Sequence, residues 1–119
     1  MKSNQNFAKT VAFAAGATVS GILRVGPEYA IVGFRTDSNW QAATITVSSS
    51  MENENATSPT DFLSLVDDGG TAISFPSIGA SKQVCTSQGV PLLIGNHFKF
   101  TSSATQTLGT TLTVILRPT

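Results

Sequence analysis

Ala43-Thr44-Ile45-Thr46-Val47-Ser48 decides how this chain folds. Read at a period of two, it places Ile45 and Val47 on one face and Thr44, Thr46 and Ser48 on the other, the pattern of a strand with one side buried and one side wet. Thr110-Thr111-Leu112-Thr113-Val114-Ile115-Leu116 repeats it near the C-terminus. In both stretches the wet side carries hydroxyls where Lys and Glu are usual. Charged residues make up 12% of the 119-residue chain, against roughly a quarter in ordinary domains.

Further strands are expected on either side of Ala43–Ser50. Upstream these are 10–15, 17–25 and 29–36, the last central because both of its faces are apolar, with Tyr29, Ile31 and Gly33 on one side and Ala30, Val32 and Phe34 on the other. Gly26-Pro27-Glu28 and Asp37-Ser38-Asn39-Trp40 read as turns between them. Downstream, 62–66 and 72–75 flank an Asp67-Asp68-Gly69-Gly70 hairpin turn. A break at Pro76–Gly79 precedes strands over 82–86, 90–94 and 97–101, then a loop over 102–108 and a final strand over 109–117. No segment carries a helical period. About eight to ten short strands at about 8–12-residue spacing predict an all-β fold, an antiparallel β-sandwich of jelly-roll type.

The length suits a single domain. Residues 10–119 form the sandwich, and residues 1–9, polar and poor in apolar side chains, form an extended N-terminal arm. The apolar run Val11–Ala17 is too short to span a membrane and is read as strand, so no membrane partner is expected. Seven basic and seven acidic residues give zero formal net charge, and the cations are scattered rather than striped, which argues against nucleic-acid binding. A neutral chain lacks the charge repulsion that keeps small monomers apart, which favours life in an assembly.

No catalytic constellation is visible. His97 is the only histidine, so sites that need paired histidines are excluded, and it reads as a turn residue. Cys85 is the only cysteine, so no internal disulfide forms; it is expected as a small core residue beside Val84. Trp40 reads as a plug over one end of the core, with Phe98 and Phe100 sharing a core face. Glu52, Glu54, Asp61, Asp67 and Asp68 cluster in sequence, but their spacing matches no calcium loop and they are expected as loop and turn charges. Neither a metal nor a cofactor is expected, nor an enzyme.

One stretch of sequence does resemble a known group. Ile31-Val32-Gly33-Phe34-Arg35, then Ser38-Asn39-Trp40-Gln41-Ala42-Ala43 and Thr44–Ser48, are followed by Phe62-Leu63, by Asp67–Gly70 and by Leu112-Thr113-Val114-Ile115-Leu116-Arg117-Pro118. This order resembles small phage and prophage structural proteins over residues 17–118; Gln83–Phe100 departs from their pattern. The resemblance implies a virion protein on the capsid exterior: a decoration (cement) subunit that bridges major capsid proteins, with a fibre or adhesin module that binds host carbohydrate as the alternative. On that reading Lys2, Asn4, Asn6, Phe7 and Lys9 are the capsid-contact residues of the arm, and the chain acts as a homo-oligomer, a trimer, at three-fold positions.

Overall fold

The computed structural model describes residues 7–85 and 95–118. Among the described residues ten strands carry the fold: β1 (Phe7–Phe13), β2 (Ala17–Val19), β3 (Leu23–Arg24), β4 (Tyr29–Thr36), β5 (Ala43–Ser50), β6 (Leu63–Ser64), β7 (Ser74–Ile78), β8 (Gln83–Cys85), β9 (His97–Gln106) and β10 (Thr110–Pro118). One sheet runs β1-β10-β4-β8. The other runs β2-β9-β5-β6, with β3 also on β9 and β7 also on β5. Every pairing is antiparallel.

The pairing is nested. β1 joins β10, β2 and β3 join β9, β4 joins β8, and β5 joins β6 and β7. The two halves of the chain thus form one long hairpin folded across itself into two sheets, which is the jelly-roll arrangement of the all-β sandwich.

The strand that decided the fold occupies the expected span, and Ala43, Ile45 and Val47 are buried while Thr44, Thr46 and Ser48 are half-buried. In β10, Leu112, Val114 and Leu116 face the core by the same rule. Phe34 on one sheet meets Phe75 and Phe100 on the other edge-on, with ring centroids 4.9 and 5.4 Å apart. Phe13 closes on Trp40 at 5.3 Å, and the Trp40 indole N–H donates to the Ile78 carbonyl. Trp40, Phe98 and Phe100 are therefore core residues as the sequence implies.

β4 is central, between β10 and β8, but its faces differ from simple alternation. Gly33 pairs with Ile115 and Ile31 with Leu116, leaving Val32 as the extra residue of a bulge. The bulge turns Ile31 to the same side as Phe34, and both are fully buried.

Other boundaries also move. Residues 17–25 split into β2 and β3, and only Leu63–Ser64 of 62–66 is strand. Pro76 lies inside β7 rather than ending a strand; β7 is an edge strand whose register against β5 shifts there, where a missing N–H is tolerated. Ser102–Gln106 extends β9 instead of looping. Residues 90–94 lie outside the described residues. The Asp67–Gly70 turn forms as expected, with Gly70 at φ +86° and its N–H donated to the Asp67 carbonyl.

Candidate functional site

The N-terminal residues come first, because the sequence places the contact arm there. Lys2, Asn4 and Asn6 lie outside the described residues. Phe7 and Lys9 do not belong to an arm: β1 begins at Phe7, where Phe7, Ala8 and Lys9 pair with Leu116, Ile115 and Val114. The Phe7 ring stands edge-on to Tyr29 at 5.4 Å, and Lys9 Nζ donates to the Arg24 carbonyl at 2.8 Å. Two anchors of this kind make residues 7–9 strand and not arm.

Arg24 links this region to the loop after β5, through a 3.0 Å bond from its guanidinium to Asn55 Oδ1. That loop is organised around Glu52, whose Oε2 accepts the N–H groups of Asp61 (2.6 Å) and Thr60 (2.7 Å) and the Ser50 hydroxyl (3.2 Å). The Asp61 and Thr60 N–H groups hold the Glu52 carboxyl below its usual pKa; slight desolvation opposes them, and the Ser50 hydroxyl and the nearby His97 add to the lowering.

His97 is the first residue of β9 rather than a turn residue, and it is buried. It pairs across the sheet with Ser50, so Ser50, His97 and Glu52 bring the residue types of a nucleophile, a base and an acid into one neighbourhood. The hydrogen bonds do not connect them as such a set. Ser50 donates to Glu52, and His97 Nε2 meets the Asn53 carbonyl at 3.0 Å, so that nitrogen carries the proton and cannot accept one from Ser50. The cluster holds a loop in place.

Cys85 is exposed at the end of β8, not buried beside Val84. Among the described residues β8 is the outer strand of its sheet, and Cys85 stands opposite Gly33, which offers no side chain to cover it. Among the described residues no group of three His, Cys, Asp or Glu side chains is placed to hold a metal. Asp67 Oδ1 accepts the N–H groups of Gly69 and Thr71, and so sets its own turn.

At the other end of the sandwich Asp37 does what sequence reasoning missed. Its carboxylate accepts the Thr110 hydroxyl and the N–H groups of Thr111 and Asn39, tying the β4–β5 turn to the start of β10. Burial pushes its pKa up, but the bonds from Thr110, Thr111, Asn39 and Trp40 outweigh burial and hold it below the usual range. An Asp opening a turn was visible in sequence; its partners, more than seventy residues away, were not.

Two surface features remain. An open groove of about 450 Å³ runs along β6, lined by Met51, Asp61, Leu63, Leu65 and Val66. Met51 and Leu63 are about 70% exposed there, a large apolar presentation on so small a domain. The wet face of β5 continues across its sheet, since Thr46 stands between Thr101 and Ser74, and Ser48 between Lys99 and Ser64. These rows hold hydroxyls and one Lys, with no carboxylate.

No protein-family model, curated protein or solved structure matches this chain. The site is therefore read from its own chemistry.

Proposed function

We propose that this chain is a virion structural protein, a decoration subunit that sits on the outside of a phage capsid and bridges major capsid proteins. The observation that carries the reading is the pairing of carboxylate-free hydroxyl faces with an exposed apolar groove on a rigid jelly roll. Faces such as Thr46/Thr101/Ser74 pack against another protein without desolvating charge, which is the costly part of burying a polar surface. Zero net charge removes long-range repulsion between copies, consistent with a trimer at three-fold positions. The start of β1 is tied toward the loop after β5, because Lys9 donates to the Arg24 carbonyl and the Arg24 guanidinium donates to Asn55. Contacts made there by three copies act together through effective concentration even if each is weak.

The test is co-sedimentation of the purified protein with undecorated phage shells, alongside its mass in solution. Saturable attachment by a trimer is expected, and deletion of residues 1–6 should abolish attachment while the melting transition stays intact. Full occupancy after that deletion removes the arm from the reading. Recovery on tail fibres or host glycans, with no shell attachment, replaces it with an adhesin module.

A further inference from the structure

A second cleft, of about 270 Å³, lies on the opposite sheet where β4 meets the loop before β8; Arg35, Thr36, Ser81, Lys82 and Gln83 line it. We infer that this cleft binds an oxyanion group, a carboxylate, sulfate or phosphate, through Arg35 and Lys82. The inference is independent of the decoration reading.

The first argument is the inventory of polar groups. Arg35 brings five N–H donors in a planar fork, Lys82 three, Ser81 a hydroxyl and Gln83 an amide. Thr36 contributes nothing to a ligand, because its hydroxyl donates to the Gly79 carbonyl at 2.7 Å and accepts the Lys82 N–H at 2.9 Å. The lining is donor-rich and carries two positive charges. Such a site suits an anion with several acceptor oxygens.

The second argument is that among the described residues nothing neutralises those charges. Neither Arg35 nor Lys82 has a carboxylate partner among the described residues. Asp37 is next to this loop, since its carbonyl accepts the Ser81 N–H, but its carboxylate is directed to Thr110, Thr111 and Asn39.

The third argument is preorganisation. Ser81 has φ +55°, the only positive φ outside glycine among the described residues. A side-chain-bearing residue rarely holds that conformation, and such outliers persist where surrounding bonds over-determine them. Here the bonds are Ser81 N–H to Asp37, Thr36 N–H to the Lys82 carbonyl, and Lys82 N–H to Thr36 Oγ1. They fix Ser81 and Lys82 on the rim beside Arg35, whose cross-strand partner is Gln83. The backbone that carries the donors is set before any ligand arrives.

The experiment is an amide-shift titration of the whole protein with sodium acetate, sulfate and phosphate, each at constant ionic strength against sodium chloride. Saturable shifts at Arg35, Ser81, Lys82 and Gln83 with at least one oxyanion are expected. The Arg35→Gln/Lys82→Gln double variant should weaken that binding by at least about tenfold, the loss expected for charge-assisted hydrogen bonds. The three arms separate a planar carboxylate from a tetrahedral anion. Shifts that match chloride, that spread equally to Lys9, Arg24 and Lys99, or that survive in the folded double variant overturn the inference.

Discussion

The Val84 carbonyl oxygen lies 2.5 Å from the point a Cβ on Gly33 would occupy. Gly33 is the strand glycine next to the Val32 bulge, and the contact explains why the central strand β4 lacks a side chain there. The obstructing atom is backbone, so it moves only if β8 moves. Gly33→Ala should therefore destabilise by about 1–3 kcal/mol, the usual range for overpacking. The urea midpoint would register it, and an unchanged midpoint would mean that β8 is not held against β4.

Phe100 is fully buried, with Phe34 edge-on at 5.4 Å and Phe98 stacked at 6.5 Å. Phe100→Ala should cost about 3–5 kcal/mol, as large-to-small changes in cores do. Equilibrium denaturation reads this directly. A loss under about 1 kcal/mol would mean that the inter-sheet aromatic contact is absent.

Gln106 makes a different kind of core. Its side chain accepts the Gln41 N–H at 2.7 Å and donates to the Gln41 carbonyl at 3.0 Å and to Ser102 Oγ at 3.1 Å. Gln106→Leu keeps much of the volume but strands the Gln41 backbone groups. Each part-buried group so left costs about 1–3 kcal/mol, and Gln106→Glu should rescue little, because it cannot donate both bonds. Thermal melts of the two variants check this.

Acid should weaken the fold through Asp37 and Glu52, whose carboxyl groups both titrate below their usual range. A group depressed in the folded state gives stability that is fully present above its unfolded pKa and is lost as pH falls through its folded one. Stability should be flat above about pH 5 and fall below about pH 4, given ordinary carboxyl values. Asp37→Asn should flatten part of that slope. A slope unchanged by Asp37→Asn would place the titrating groups elsewhere.

The two N-terminal truncations should behave differently. Loss of residues 1–6 leaves β1 whole, whereas loss of 1–9 removes Phe7 from Tyr29 and Lys9 from Arg24. Only the longer truncation should lower the melting temperature.

How far the sequence could be read depends on how many faces of each strand are buried. β5 was legible to the residue because one face is buried and the other is not. β4 was legible as a central strand but not in its faces, since one bulged residue at Val32 reverses the alternation and only the neighbouring Gly33 marks it locally. Ser102–Gln106 passed for a loop because buried Ser and Gln look like loop composition; their hydrogen bonds to Ala104 and Gln41 are what make them core. Cys85 is exposed where its composition suggests core, because burial follows a strand's position in the sheet and β8 is the outer strand among the described residues. The cleft was invisible for a related reason: Arg35 and Lys82 are far apart in sequence and meet only through the β4–β8 pairing.

The nested pairing has a consequence for how the protein is made. Phe7 pairs with Leu116 and Tyr29 with Pro118, so the first and central strands of one sheet both wait for β10. A ribosome that has released only the N-terminal half offers those strands no partner, and they emerge with unpaired edges. Closure of that sheet therefore waits for β10 to emerge and is governed by contacts of long sequence separation, which form in milliseconds to seconds. Until β10 arrives, the nascent chain is a set of sticky strands. A neutral, hydroxyl-rich composition gives such strands little charge repulsion to hold neighbouring chains apart.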